Sequence, residues 1–401
     1  MKNFLYEDDS MVAKAFLTSK LSGNFKQDFE TLIRWRIKKP QYTEYKRLKV
    51  GMPPEPYGIN NDKVTIEELL THTEKVLGNA WQSWQWLYEH LEDKKSKILL
   101  LNVIAYKVIG WKFIKLPLDS KNFWTMLKKI SLGENIKDQN DKVDIGFFNI
   151  ILHKFNLRKY GYPVKLYSDA FGVFNEFIYS QYSFRGGVTN LPEKGDCIID
   201  CGACFGGTSL YFAGLVGKAG KVLSFEFMPN NIKIFNLNLK LNPNFFDRIE
   251  LIKAPVYSSA GLIMAIQGIG PATQVHPLGT GLRAYVNKMK YRLLTIIKNN
   301  PKRSYIKATT IDNEVKKRDI NRVGLIKMDI EGSEYRALEG AKDTIQKFKP
   351  ILAISVYHRL FDFYEVPQFI NNLNLGYKFY LQHSTVHGDE TVLFAIPLNK
   401  N

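Results

Sequence analysis

The residues of this chain that could carry out chemistry gather in its C-terminal half. The first group follows an apolar run and reads Ile198-Ile199-Asp200-Cys201-Gly202-Ala203-Cys204-Phe205-Gly206-Gly207-Thr208. Gly202 and Gly206 allow the backbone to turn sharply and to approach a ligand closely, and the helix that follows begins with unpaired N–H groups. The group therefore predicts a ligand-binding turn between a strand and a helix, with Asp200, Gly202, Ala203 and Gly206 at the ligand.

Acidic residues indicate which ligand this turn binds. Its spacing is Gly-x-x-x-Gly after an aspartate, whereas dinucleotide-binding turns have Gly-x-Gly-x-x-Gly and hold a pyrophosphate. Asp200 would repel a pyrophosphate but suits the ammonium group of S-adenosylmethionine. Glu226 ends the next apolar run, where a carboxylate can accept hydrogen bonds from both ribose hydroxyls of a nucleoside. We therefore expect S-adenosylmethionine as the cofactor.

A second acidic group follows a later apolar run and contains Asp329, Glu331 and Glu334, and His358 ends the run after it. Ligands of an open parallel sheet bind beyond the carboxyl ends of its strands, which is where these residues fall. The carboxylates could position an acceptor hydroxyl or hold a divalent cation, and Glu334 could instead cap a helix. We expect positioning and no metal site, with His358 as the general base that takes the hydroxyl proton.

Three cysteines have the Cys-x-x-x-Cys-x-x-Cys spacing that holds a four-iron cluster in other enzymes: Cys197, Cys201 and Cys204. Cluster ligation needs a flexible loop, but Cys197 and Cys201 flank the apolar residues of a strand that a sheet would bury. We therefore interpret them as small buried thiols. Three cysteines within eight residues also exclude a disulfide-built secreted domain.

The pattern of elements changes near residue 165. Apolar residues at helical spacing predict helices before it, at residues 66–77, 81–91, 96–109 and 123–130. After it, predicted buried strands (196–200, 221–227, 249–256, 323–329 and 351–357) alternate with predicted helices (208–216, 231–241, 334–348 and 366–373). Such alternation indicates a parallel sheet covered on both faces, and the runs 377–383 and 390–396 flank a turn that predicts an antiparallel hairpin.

These residues make the sequence resemble the FkbM-type methyltransferases. The matching stretches are Asp200-Cys201-Gly202-Ala203, Phe225-Glu226-Phe227, residues 236–242, Thr310-Ile311-Asp312, Asp329-Ile330-Glu331-Gly332-Ser333-Glu334 and residues 337–341, with weaker likeness at residues 91–97 and Gln181-Tyr182. The resemblance implies a class I, Rossmann-like α/β fold at residues 166–401, S-adenosylmethionine, and methylation of an oxygen, usually on a sugar, polysaccharide or natural product. We further expect Tyr182, Asn231 and Asp312 at the cofactor. Cysteines at positions 201 and 204 depart from the family pattern.

A long basic insertion at about 262–308 is a second departure. The chain carries a net charge of +17, and residues 251–311 contain no Asp or Glu. A glycine- and proline-broken loop (268–281) is followed there by a basic amphipathic helix. Its cations Arg283, Lys288, Lys290 and Arg292 could form a lid or docking surface for an anionic acceptor, such as a phosphorylated or nucleotide-linked sugar, or for an anionic membrane. The alternative is a surface helix packed on its own domain.

The leading interpretation of the whole chain is a sugar-directed O-methyltransferase. The sequence shows no apolar run long enough to span a bilayer and no secretory signal, so we expect a cytoplasmic protein, with peripheral contact at the inner membrane face as an alternative. The charge allows a nucleic-acid methyltransferase, but no base-amine motif or RNA-binding module supports nucleic acid as a partner. A non-catalytic scaffold is a further alternative. The mostly helical region predicted at residues 1–165 would serve acceptor binding, formation of a homodimer or attachment to a biosynthetic assembly.

Overall fold

The computed structural model describes most of the chain, namely residues 21–38, 56–59, 64–133, 136–146, 150–186, 192–268, 270–279 and 305–398. Helices of the N-terminal part are α1 (Phe25–Lys38), α2 (Ile66–Leu77), α3 (Trp81–His90), α4 (Lys94–Ile109), α5 (Lys121–Leu132) and α6 (Ala170–Val173), which continues as a π-helical turn (Phe174–Tyr179). The later helices are α7 (Gly207–Val216), α8 (Pro229–Lys240), α9 (Ile311–Lys317), α10 (Glu334–Glu339), α11 (Lys342–Phe348) and α12 (Asp362–Asn371).

A seven-stranded mixed sheet forms the centre of the fold. Its strands are β4 (Cys197–Cys201), β5 (Lys221–Phe225), β6 (Ile249–Ile252), β10 (Val323–Met328), β11 (Ile351–Ser355), β12 (Tyr377–His383) and β13 (Thr391–Pro397). They lie in the order β12-β13-β11-β10-β4-β5-β6, and only the β12–β13 hairpin introduces antiparallel pairing. The expected α/β architecture, a parallel sheet ending in an antiparallel hairpin, is therefore confirmed.

The central strands β4, β10 and β11 are mostly apolar, as expected for a sheet that is covered on both faces. Neighbouring residues such as Ile198 and Ile199 belong to different apolar clusters on opposite faces. On one face the sheet packs with α1–α4 and with α10–α12, and on the other it packs with α5, α7 and α8. The N-terminal helices thus share one core with the sheet and brace it.

The N-terminal region is mostly helical, as predicted, but it also contains a small sheet that the sequence did not predict. Strands β1 (Lys137–Asp144), β2 (Ile151–Asn156) and β3 (Lys165–Ser168) form a separate antiparallel sheet. The side chains of Asn238 and Asn242 on α8 hydrogen-bond the β3 backbone and fix this small sheet to the main domain. β1 is polar along its length, so no apolar alternation announces it as a strand.

The insertion also differs from its prediction. Strands β7 (Ile263–Gln267), β8 (Gln274–Gly279) and β9 (Tyr305–Lys307) make a third small sheet, so the predicted loop at 268–281 is wrong over β8. The basic residues Arg283, Lys288, Lys290 and Arg292 lie outside the described residues.

The predicted helix at 334–348 is two helices, α10 and α11, separated at Gly340. This glycine is needed because an added Cβ would lie 2.2 Å from the Tyr257 carbonyl oxygen. Within the described part of the chain, no helix combines the length and the apolar character needed to cross a membrane.

Candidate cofactor and acceptor site

Two adjoining cavities open at the carboxyl ends of the parallel strands. Both are lined by Gly202 after β4, Glu226 after β5, and Asp329 and Glu331 after β10. The larger cavity, of about 400 Å³, extends over the glycine turn toward the π-helical turn and the β12–β13 connection. This volume lies in the range of small-molecule sites. The insertion reaches the same edge, since Pro271 lines both cavities.

Asp200 ends β4 at this edge, but its carboxylate is bound by the chain itself. Oδ2 accepts hydrogen bonds from Thr208 Oγ1 at 2.8 Å and Ser209 Oγ at 2.6 Å, both on α7. Oδ1 lies 3.1 Å from Lys327 Nζ on the adjacent strand β10. The side chain is fully buried, and it lines neither cavity. Asp200 therefore fixes the turn that the cofactor would contact and does not itself face the cavities.

Lys327, which lies beside Asp200 on the adjacent strand, also holds the backbone of this turn. Its ammonium also donates to the carbonyl oxygens of Cys201 at 3.1 Å and Gly202 at 2.6 Å. Burial alone would lower the pKa of Lys327, but Asp200 and Asp329 raise it above its ordinary value, so the side chain is charged. Three donors meet three acceptors, and the Lys327 cation is satisfied within the protein.

The glycine turn lies close to the loop after β10. Gly202 has a φ of +82°, and an added Cβ would come 1.9 Å from the Asp329 carbonyl oxygen. Only glycine fits there. Ala203 donates its N–H to Phe225 O at 3.0 Å, and Gly206 precedes α7 as its N-cap, so both predicted residues lie on the turn.

Glu226 and Asn231 form the wall of the smaller cavity. Glu226 Oε1 accepts the backbone N–H groups of Phe227 and Met228 at 2.6 and 2.7 Å, while Oε2 accepts Asn231 Nδ2 at 3.0 Å. Oε2 therefore retains capacity for one further donor, such as a ribose hydroxyl. Asn231 Oδ1 is buried and has no hydrogen-bond partner among the described residues. A buried acceptor of this kind indicates a place for a ligand donor.

Asp329 is held by two tyrosines at the junction of the cavities. Tyr182 OH donates to its Oδ2 at 2.7 Å, and Tyr357 OH donates to its Oδ1 at 3.0 Å. Burial alone would raise the pKa of Asp329, but His358, Lys327 and the tyrosines lower it below its ordinary value. Asp329 is thus an ionised acceptor in a fixed orientation.

His358 lies behind this aspartate among three carboxylates. Its Nδ1 is 3.0 Å from Glu334 Oε1, and its Nε2 is 3.4 Å from Asp329 Oδ1 and 3.6 Å from Glu331 Oε2. Burial would lower the pKa of His358, but these charges raise it well above its ordinary value. A protonated imidazole cannot take a proton, and His358 lines neither cavity. The geometry favours a positioning cation over the general base expected from the sequence.

Glu334 supports the same cluster from the first residue of α10. Its Oε1 also accepts the Ile330 N–H at 2.8 Å and closes the loop after β10. Ile330 precedes α10, so this bond is not the helix cap that the sequence allowed, and Glu334 lines neither cavity. Donor atoms of Asp329, Glu334 and His358 lie within 4.8 Å of one another and could hold a metal ion. His358 in its charged form already supplies a cation at this place.

Glu390, between the two strands of the hairpin, faces the larger cavity and was not anticipated. Gln181 Nε2 donates to its Oε2 at 3.1 Å. Burial, reinforced by Asp329 and Asp389, raises the pKa of Glu390 to about 8. A carboxylate with such a pKa is a stronger base than an ordinary glutamate. His383, in contrast, is buried as a neutral side chain because burial lowers its pKa to about 3.

Comparison with known proteins identifies the central part of the chain. Residues 200–379 match a family model described as the methyltransferase FkbM domain. This range includes Asp200, Glu226 and Asp329, whereas Tyr182 and Glu390 lie outside it. The chain contains an FkbM methyltransferase domain. The sheet order reported above is that of class I methyltransferases, with the antiparallel strand β13 placed between β11 and β12.

Solved structures give more distant similarities. The methyltransferase FkbM of Methylobacillus flagellatus KT is 18% identical with a TM-score of 0.47; the alignment covers 80% of this chain and 60% of that one. Aeropyrum pernix fibrillarin, solved with bound S-adenosyl-L-methionine, is 14% identical with a TM-score of 0.31 and 62% and 90% coverage. The Bacillus cereus O-methyltransferase in complex with SAH is 11% identical, with a TM-score of 0.31 and 60% and 86% coverage. No curated protein matches the chain.

Asp312 and two of the cysteines do not take part in lining the two cavities. The Asp312 carboxylate accepts the backbone N–H groups of Asp343 and Thr344 at 3.1 and 2.8 Å, so it caps α11 and lines neither cavity. Cys197 and Cys201 are buried on β4, and burial raises the pKa of the Cys197 thiol to about 12. These two thiols fit the interpretation as small buried side chains, whereas Cys204 is only partly buried and lines the larger cavity.

The cavities fit S-adenosylmethionine in charge. Although the chain is strongly basic, the walls carry the carboxylates of Glu176, Glu226, Asp329, Glu331 and Glu390, whereas Lys327 is neutralised by Asp200. An acidic, partly buried cavity favours a cationic ligand over a pyrophosphate. S-adenosylmethionine carries a sulfonium and an ammonium group. Asn231 Oδ1, which has no partner among the described residues, and Glu226 Oε2, which can accept a second hydrogen bond, offer acceptors for its nucleoside.

Three of these site residues escaped prediction from the sequence: Lys327, Glu176 and Glu390. Each of the first two is the single charged residue of a run that otherwise lacks charge, Val323-Gly324-Leu325-Ile326-Lys327-Met328 and Phe174-Asn175-Glu176-Phe177. A lone charge in a buried run must find a partner or a ligand, and this signal could have identified both. Glu390 is a polar hairpin residue, which no sequence pattern distinguishes.

Proposed function

We propose that this chain transfers the methyl group of S-adenosylmethionine to a hydroxyl oxygen of a sugar or of a glycoconjugate precursor. The observation that carries the proposal is the acid-lined double cavity at the carboxyl edge of an FkbM methyltransferase domain. Bound S-adenosylmethionine supplies an electrophilic methyl group on a cationic sulfur. The protein must then orient the two reactants, exclude water and accept one proton.

The smaller cavity is the place for the nucleoside in this proposal. Glu226 Oε2 accepts a ribose hydroxyl, and Asn231 Oδ1 accepts a second donor of the nucleoside. The apolar side chains of Phe227, Val256 and Ile330 line the same cavity and would enclose the adenine ring. This arrangement directs the sulfur end toward the larger cavity, where Tyr182 and Asp329 stand at the junction.

The larger cavity is the place for the acceptor. Carboxylates and tyrosine hydroxyls that line it, such as Asp329, Glu331 and Tyr357, are suited to hydrogen-bond the hydroxyls of an uncharged sugar. An anionic group would be repelled from this part of the site. If the acceptor carries a phosphate or a nucleotide, the charge belongs outside this cavity, where the basic residues Arg283, Lys288, Lys290 and Arg292 are candidates to bind it.

Glu390 is the proton acceptor in this proposal. It lies in the wall of the larger cavity, and Gln181 fixes its orientation. Its raised pKa makes it a stronger base, closer in pKa to the hydroxyl that it must deprotonate. His358 keeps Asp329 and Glu331 in place as their counter-ion. Methyl transfer releases one proton, which passes from the acceptor hydroxyl to the Glu390 carboxylate.

The experiment is a methyl-transfer assay with labelled S-adenosylmethionine. The purified protein is offered neutral sugars and oligosaccharides, nucleotide-linked sugars, and RNA as separate acceptor classes. Transfer to a sugar hydroxyl, identified by mass spectrometry of the product, supports the proposal. Transfer to RNA alone, or turnover with none of these classes while the cofactor binds, would overturn the assignment of the acceptor.

A further inference from the structure

The carboxylate expected to bind the ammonium group of S-adenosylmethionine is not free to do so. Asp200 has two hydroxyl donors on Oδ2 and the Lys327 ammonium on Oδ1, and it lines neither cavity. The methionyl end of the cofactor carries a cation that needs a partner near the glycine turn. Another acidic side chain must therefore supply it.

We propose that Glu176 binds the ammonium group at the methionyl end of S-adenosylmethionine. The assignment rests on the proposed cofactor and deepens it by naming a binding residue outside residues 200–379. Glu176 belongs to the π-helical turn Phe174–Tyr179, which precedes the main sheet, and its side chain lines the larger cavity together with Ala203, Cys204 and Thr208.

The Glu176 carboxylate lies directly on the glycine turn. A Cβ added at Gly207, the first residue of α7, would come 1.8 Å from Glu176 Oε2. A side chain at this position would require the Glu176 carboxylate to move, so Gly207 leaves the carboxylate its present place. The contact therefore links the glycine-rich stretch to an acidic residue from a different part of the chain.

Glu176 has no cation of its own among the described residues. Hydrogen bonds and ion pairs account for Asp200 and Lys327, whereas none of the described donors bonds to the Glu176 carboxylate. Lys327 is the nearby cation, but its three donors are directed to Asp200, Cys201 and Gly202. A carboxylate in a cavity wall without a partner is costly unless a ligand supplies the positive charge.

Neighbouring charges reinforce this need. Burial raises the pKa of Glu176 to about 8, and Asp169 and Asp200 act in the same direction while Lys327 opposes them. The Cys204 thiol lines the same cavity and stays neutral, because burial raises its pKa well above the ordinary value. A ligand ammonium would stabilise the ionised carboxylate of Glu176 and lower its pKa. Binding of the ligand should therefore release a proton from the carboxyl group.

A capped helix and the π-helical turn that follows it hold the backbone of Glu176 in place. Asp169 caps α6 through a hydrogen bond from Gly172 N to Oδ1 at 2.7 Å, and the helix then widens into the π-helical turn. Single π-helical turns of this kind are frequent at functional sites because they redirect side chains. Phe174 and Phe177 on the same turn are buried in the core and anchor it.

The test compares two ligands that differ in the ammonium-bearing part. S-adenosylhomocysteine contains it, whereas 5′-deoxy-5′-methylthioadenosine has the same nucleoside and sulfur without the amino-acid moiety. Both are titrated by calorimetry into the wild-type protein and into Glu176→Gln, which keeps the side-chain shape. We expect the Kd of Glu176→Gln for S-adenosylhomocysteine to rise about 10- to 100-fold, the usual effect of losing a charge-assisted hydrogen bond, with methylthioadenosine binding unchanged.

Proton release supplies a second measurement. Titrations at pH 7.5 in buffers of different ionisation enthalpy should show that the wild type releases a proton on binding S-adenosylhomocysteine and that Glu176→Gln does not. Equal affinity of the two proteins for S-adenosylhomocysteine, or equal loss for both ligands, would overturn the assignment. If the wild type binds neither ligand, the proposed function fails as well, so the two failures are distinguishable.

Discussion

Lys327 Nζ lies 3.1 Å from Asp200 Oδ1, across the adjacent parallel strands β10 and β4, and both side chains are buried. The two residues are direct partners in the register of the strands. Their ion pair therefore couples the glycine turn to the loop that carries Asp329. The Asp200 carboxylate lines neither cavity, and the carboxylates in the cavity walls belong to other residues.

Breaking this pair should be costly. Lys327→Met leaves the Asp200 charge buried without its counter-ion, so we expect the free energy of unfolding to fall by about 3–5 kcal/mol. The double variant Asp200→Asn with Lys327→Met removes both charges and keeps an oxygen for Thr208 and Ser209, so it should recover part of the loss. Urea unfolding of the four proteins measures the coupling, and strict additivity of the two single changes would contradict the pairing.

His358 should stabilise the fold through its ion pairs with Asp329, Glu331 and Glu334. Its raised pKa means that the imidazolium stabilises the fold fully below its unfolded pKa of about 6.5 and loses this effect as the pH rises through its folded value. We expect His358→Gln to be less stable than the wild type near pH 6, with a difference that shrinks at higher pH. Thermal unfolding across this range tests it. A stability difference that does not vary with pH, together with a large fall in kcat, would return His358 to the role of general base.

Glu390 should control the pH dependence of methyl transfer. Its carboxylate must be ionised to accept the proton, so activity is expected to rise with pH and to level off above about 8. Glu390→Gln should lower kcat by about 10²- to 10⁴-fold and leave the Kd for S-adenosylhomocysteine within about twofold. Steady-state rates from pH 6 to about 9.5 provide the measurement. A variant that keeps both its rate and the ascending limb would show that another group takes the proton.

Methyl transfer should not require a divalent cation. The donor atoms of Asp329, Glu334 and His358 are close enough to bind one, but the charged His358 neutralises the carboxylates, and Tyr182, Tyr357 and the Ile330 N–H already donate to them. We expect initial rates to survive dialysis against EDTA. Loss of activity that Mg²⁺ or Mn²⁺ restores would establish instead that this cluster is a metal site.

Much of the fold could be predicted because its strands are buried on both faces. Runs such as Val323–Met328 and Ile351–Ser355 are apolar apart from Lys327 and Ser355 near their ends, and the glycine turn after Asp200 marks where the first of the parallel strands meets its helix. A strand that is buried on one face only, or on neither, has a weaker apolar pattern in its sequence. The polar strand Lys137–Asp144 was missed for this reason.

The candidate site was predicted in position but not in its division of roles. Asp200, Glu226, Asp329 and Glu334 all lie at the carboxyl edge of the sheet, as parallel topology requires. Whether a carboxylate faces a ligand or a neighbouring side chain depends on which residues approach it from elsewhere in the chain. Sequence spacing contains no such information about the approach of Lys327 to Asp200 or of Glu176 to Gly207.

The central claim, a cofactor site built around Glu226, is tested most directly by calorimetric titration with S-adenosylhomocysteine. We expect micromolar binding by the wild type and a Kd raised at least about 10-fold in Glu226→Gln, which weakens the acceptor for the ribose. Asp312→Asn is the matched control, since Asp312 caps α11 away from the cavities, and it should bind like the wild type. Absence of binding by the wild type, or equal binding by Glu226→Gln, would contradict the account.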